Sequence, residues 1–100
     1  MKGILIGAMH KKGKFTDEAG ELIPYDNLVL LLQKPIEFND DDNRYCTGVG
    51  FMIAEAKCPW ERFSDIFEDR VTSLDKLENY IGTEVSYFFN DKKKLDTVIL

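Results

Sequence analysis

A chain of 100 residues makes one domain, residues 1–100, and leaves nothing over for a second core. Hydrophobic residues at 44% and charged residues at 31% are globular proportions and exclude a disordered chain. A net charge of −5 excludes a simple polycation that coats nucleic acid or an anionic membrane, and one His with two Cys excludes chemistry built on paired histidines or thiols.

Lys2 to His10 alternates apolar residues with glycines and predicts a first strand. A single lysine before so short an apolar run, closed by a basic turn, is not a signal peptide. Gly3 and Gly7 fall on the face of Leu5 and Met9, and glycine inside a strand marks a bend such as the corner of a small barrel. Lys11-Lys12-Gly13-Lys14 reads as a turn, and Phe15 to Glu21 as a polar loop. Pro24-Tyr25-Asp26-Asn27 then leads into Leu28 to Gln33, which is apolar on both faces and suits a central strand or a dimer seam. Lys34-Pro35 ends it, because proline cannot donate to a ladder.

Glu37 to Asn43 is a solvated acidic loop. Its Asp40-Asp41-Asp42 run lacks the register of a calcium loop. Arg44 to Lys57 reads as the third strand. Tyr45, Thr47, Val49, Phe51 and Ile53 form a bulky face, and Cys46, Gly48, Gly50, Met52, Ala54 and Ala56 a slimmer one. Pro59 sits where a first helical residue belongs. Trp60, Phe63, Phe67, Val71 and Leu74 then follow at spacings that predict a helical stripe, with Trp60 as a core anchor. Ser73 can cap a second short helix carrying Leu74, Leu77 and Ile81, and Gly82 stops it. Thr83 to Asn90 is a fourth strand with Val85, Tyr87 and Phe89 inward. Asp91 to Lys94 is a basic turn, and Leu95 to Leu100 is a fifth strand.

Three strands, a helix and a two-strand hairpin give a mainly β fold. A five-stranded barrel with a helix between strands three and four is the oligonucleotide-binding (OB) architecture. An α+β sheet with a helix on one face needs the same strands, and local pattern does not separate the two.

The charge layout is uneven. Five lysines face four acids up to Lys34, whereas eight basic residues face fourteen acids beyond it. Lysines cluster at two turns, 11–14 and 92–94, and in an OB barrel the loops after strands one and four flank the ligand groove. Lys11, Lys12, Lys14, Lys34, Arg44, Lys92, Lys93 and Lys94 are therefore candidates for neutralising phosphates. The plainer reading of such lysines is solubility. Phe51, Tyr87 and Phe89 alternate with apolar neighbours and belong in a core. Phe88 breaks that alternation and points the other way, while Tyr25 and Tyr45 sit at strand entrances. These three are the candidates for stacking bases.

Nothing else commits the chain to chemistry. Cys46 and Cys58 read as reduced thiols in a cytoplasmic protein. They do not supply a zinc site with one His, and His10 has no nearby nucleophile. No nucleophile, carboxylate pair or metal cluster stands out, so neither an enzyme nor a cofactor is expected. No apolar run approaches the ~20 residues that span a bilayer.

Phe15-Thr16, Gly20-Glu21-Leu22-Ile23-Pro24-Tyr25 and the strand from Leu28 to Leu32 carry a resemblance. Together with the Thr83-to-Leu100 hairpin, they resemble the small single-stranded DNA-binding proteins of filamentous phages and of conjugative or plasmid elements. The resemblance covers most of the chain as topology and about a dozen residues as motif. It implies an OB barrel that dimerises and binds single-stranded DNA with weak sequence preference in mobile-element replication or transfer, with Tyr25 as a binding aromatic. A different reading is an acidic protein–protein module of OB-like or α+β fold, with a partner on the helical side, residues 60–70, through Asp65, Glu68 and Asp69. A small enzyme or metal protein is the third.

Overall fold

Asp17 and Gly20, rather than the lysines before them, turn the first hairpin of the computed structural model, which describes residues 1–100. The Asp17 carboxylate accepts from the Glu21 amide at 2.8 Å, and Gly20 takes φ +85°, a left-handed conformation that favours glycine. Strand β1 (Lys2–Thr16) therefore runs straight through Lys11 to Lys14, which form no turn, and pairs with β2 (Leu22–Pro35) as far as Thr16 opposite Leu22. Polar residues on both faces of that stretch hide its strand character from a hydrophobicity pattern.

A two-stranded ribbon, β3 (Asn39–Asp40) and β4 (Tyr45–Cys46), follows and stands apart from the main sheet. Strand β5 (Phe51–Pro59) then pairs with β2. A 3-10 turn (Trp60–Arg62) leads into helix α1 (Phe63–Ile66), and helix α2 (Leu74–Leu77) runs on into a second 3-10 turn, Glu78–Tyr80. Strands β6 (Glu84–Phe89) and β7 (Leu95–Ile99) close the chain. The long strands form one five-stranded antiparallel sheet in the order β5–β2–β1–β6–β7. Its edge strands β5 and β7 approach each other but share no ladder, so the sheet curls without closing by hydrogen bonds.

One extra residue in β1 decides which side chains face inward. Leu5 lies opposite Leu32 and Gly7 opposite Leu31, so Ile6 is a bulge. The bulge reverses the alternation: Gly3 and Leu5 face the core, whereas Gly7 and Met9 turn outward and Ala8 packs inward. The inner face supplies Leu28, Leu30 and Leu32 from β2, Ala56 and Cys58 from β5, and Val85, Tyr87, Leu95 and Val98 from the last hairpin. Phe63, Ile66, Phe67, Val71 and Leu77 cover it from the helical link. Each fully buried leucine contributes about 1.5–3 kcal/mol.

Two sequence expectations are overturned by this packing. The third strand begins at Phe51 rather than Arg44, after Gly50 at φ +103°, and Tyr45 belongs to the separate ribbon. Its slim face, not its bulky one, meets the core, since β2 already fills that side with leucine: Ala56 and Cys58 are buried, while Phe51 and Ile53 are 65% and 61% exposed. Of the aromatics expected inside, Tyr87 is buried, but Phe51 and Phe89 are exposed.

The helical stripe is buried as expected at Phe63, Phe67 and Val71, but no continuous helix carries it. Glu68 and Asp69 take φ +53° and +62°, and the Asp69 amide donates to the Ser64 carbonyl at 2.8 Å while the Glu68 amide donates to Asp65 at 3.1 Å. This is a Schellman closure, and it stops α1 after one turn. Ser73 caps α2 by accepting from the Lys76 amide at 3.3 Å, and Gly82 at φ +91° ends the link.

Candidate nucleic-acid interface

The register sorts the residues of the long hairpin onto two faces. Opposite pairs in antiparallel strands share a face, and successive residues alternate. Lys11 opposes Asn27, Gly13 opposes Tyr25, and Val29 opposes Lys57 on β5, so these side chains share the outer face. They line a groove of about 490 Å³. Phe15 and Lys11 enter it from β1, Tyr25, Asn27 and Val29 from β2, and Glu55 and Lys57 from β5.

Lys94 closes the groove from the turn between β6 and β7. That turn is held by Asn90, whose side chain accepts from the amides of Lys92 at 2.9 Å and Lys94 at 3.1 Å. Lysines from two hairpins far apart in sequence thus meet across one concavity. Its aromatic wall is Phe15 and Tyr25, with ring centroids 6.3 Å apart and planes tilted by 35°. Both rings keep open surface, 50% for Phe15 and 36% for Tyr25. Gly13 makes room for the tyrosine: a Cβ there would stand 2.7 Å from the phenol oxygen.

The ion pairs of the molecule lie elsewhere, at His10–Asp26, Lys34–Glu37 and Arg62–Asp96. Lys11, Lys57, Lys94 and Glu55 therefore hold no opposite charge within the protein, and their charge faces whatever enters. Three cations around two open aromatic rings can attract phosphates and stack bases at once.

The other sequence candidates do not join this groove. Lys12 and Lys14 alternate onto the reverse face, Lys12 opposite Asp26. Lys34 sits at the far end of β2, where Nζ donates to Glu37 Oε1 at 2.6 Å. That hydrogen bond and the lysine charge hold the Glu37 carboxyl below the usual range. Arg44 and Tyr45 lie on the separate ribbon, where Asp41 accepts from the Arg44 amide at 2.7 Å. Phe88 opposes Thr97 and is exposed, pointing away from the buried Tyr87, but it does not line the groove. Lys92 and Lys93 are exposed beside Lys94 without lining it.

Sequence reasoning missed Phe15, Asn27, Lys57 and Glu55 as groove residues. The first depended on where the hairpin turns and the last two on the pairing of β5 with β2, neither of which a local pattern records. Elsewhere, Glu61, Asp65, Glu68 and Asp69 are exposed on the helical link. Burial pushes the Cys58 thiol up, while Cys46 is exposed, and the two are not joined. No three His, Cys, Asp or Glu side chains are grouped to hold a metal, and no helix is long and apolar enough to cross a membrane. No protein family, curated protein or solved structure matches the chain.

Proposed function

We propose that this protein is a non-enzymatic binder of single-stranded DNA that uses the groove between the long hairpin, β5 and the β6–β7 turn. The observation that carries the reading is the meeting of Lys11 and Lys94 across a wall of exposed Phe15 and Tyr25. In OB barrels the outer face of the second and third strands, with the loops after strands one and four, is where oligonucleotides lie. The strand order β5–β2–β1–β6–β7, the helical link between the third and fourth long strands, and the approach of β5 to β7 support assigning this curled sheet to that architecture.

Each base stacked on an aromatic contributes roughly 1–3 kcal/mol, and each lysine that meets a phosphate adds a salt-dependent term. Affinity then comes from stacking and charge, with the backbone tracked by Lys11, Lys57 and Lys94. The same outer face continues into exposed Phe51 and Ile53 on the edge strand β5, which supports a homodimer through that edge.

Amide shift mapping tests the site. Addition of an all-thymine oligonucleotide is expected to move the amides around Lys11, Tyr25, Lys57 and Lys94 while leaving those around Lys34, Arg44 and Tyr45 in place. Shifts confined to other surfaces would overturn the site, and no shifts at all would favour the acidic protein-partner reading, which carries no affinity for nucleic acid.

A further inference from the structure

We propose that Glu55 makes the groove prefer single strands that carry guanine. The inference rests on the single-strand reading above and adds which base is read and by what. Glu55 lies on β5 opposite Leu31, one outward position from Lys57. It lines the groove, is exposed, and makes no ion pair although three lysines line the same walls.

A carboxylate offers acceptors only, and so does a phosphodiester. The backbone of a bound strand is therefore repelled from Glu55 toward Lys11, Lys57 and Lys94, and the groove position at Glu55 must take a base. At about 3.3 Å per residue, the six steps from Tyr25 to the level of Leu31 span roughly 20 Å. A strand stacked on Tyr25 thus reaches Glu55 several nucleotides along, not with the stacked base itself.

The base edges differ in what they offer a carboxylate. Guanine presents N1–H and the N2 amine side by side, two parallel donors that match two carboxylate oxygens, the same fork geometry that makes Arg–carboxylate pairs strong. Its O6, next to N1, is an acceptor for the Lys57 ammonium on the neighbouring outward position. Cytosine and adenine offer one exocyclic amine beside an acceptor nitrogen. Thymine offers one imino N–H between two carbonyl oxygens that the carboxylate repels. The order of preference is guanine first and thymine last.

The test compares fluorescently labelled oligonucleotides by anisotropy at one low salt concentration: an all-thymine strand, and the same strand with isolated guanines that cannot form quadruplexes. The guanine-bearing strand is expected to bind about five- to tenfold tighter. Glu55→Gln, an exposed substitution, should bring the two affinities to within about twofold and tighten thymine binding, because the repulsion is gone while the lysines remain. Equal, salt-sensitive binding of both strands to the unaltered protein would leave the groove reading intact and overturn the guanine preference. A preference that survives Glu55→Gln unchanged would overturn the role of Glu55. No binding of either strand at low salt would overturn the groove reading and this inference with it.

Discussion

The indole of Trp60 lies flat on the imidazole of His10, with ring centroids 3.7 Å apart and planes 6° from parallel. His10 Nε2 also meets Asp26 Oδ1 at 2.5 Å. Both contacts fall on the reverse side of the long hairpin from the groove, at the point where it leaves the body of the sheet. Beyond that point the hairpin carries Phe15 and Tyr25, so the stack braces the arm that supplies the aromatic wall.

Loss of the brace is expected in His10→Ala. An aromatic pair contributes about 0.5–1.5 kcal/mol beyond its burial, so urea unfolding should show a loss of about 1 kcal/mol. Trp60 is the only tryptophan, and its emission should move to the red as the uncovered ring meets water. An unshifted emission would mean that the two rings are not in contact in solution.

Neighbouring lysines provide an internal control for the groove. Lys11 lines it, whereas Lys12 alternates onto the opposite face. Lys11→Ala should weaken binding of a single strand and lower the magnitude of the salt slope by about 0.7, the contribution of one phosphate contact. Lys12→Ala should change affinity by less than about twofold. Equal effects of the two would place the ligand off this face.

Much of the scaffold was legible because its signals are local. Leu28 to Leu32 announces a buried strand by being apolar throughout, Ser73 and Gly82 announce helix boundaries by their chemistry, and the last hairpin shows itself by alternation around a basic turn. The bulge at Ile6 leaves no trace in composition, yet it reverses every face of β1 beyond it. The inverted faces of β5 follow from what β2 puts beside them, a property of the pairing and not of β5 itself. The site was legible to the same extent: Lys11, Lys94 and Tyr25 stand out by type and position, but Lys57, Glu55 and Phe15 enter only once the register and length of the hairpin are fixed.

Gly13 offers a way to remove the tyrosine wall without touching the tyrosine. The added methyl of Gly13→Ala would stand 2.7 Å from the Tyr25 hydroxyl and 3.0 Å from Cζ, so the exposed end of the ring must move aside. Alanine suits a strand better than glycine, so stability should change by less than about 1 kcal/mol. Binding should fall by an amount comparable to one lost stack, about 1–3 kcal/mol. A variant with unchanged affinity would show that Tyr25 does not hold a base.

The break in the helical link predicts a gain. Glu68 occupies the left-handed position of the Schellman closure at φ +53°, where a side chain costs about 1–2 kcal/mol and glycine is at ease. Part of that gain is returned through the greater freedom of glycine in the unfolded chain. Glu68→Gly should therefore raise stability by about 0.5–1 kcal/mol in urea unfolding, with single-strand binding unaffected. A loss of stability would mean that α1 continues through Glu68 in solution.

The most direct test of the groove is the affinity for a labelled single strand followed between about 50 mM and about 200 mM salt. Three lysines meeting phosphates give a slope of roughly −2 in log affinity against log salt, or about a sixteenfold loss over that range. Absence of binding at the low end, or binding that does not weaken as salt rises, would contradict it.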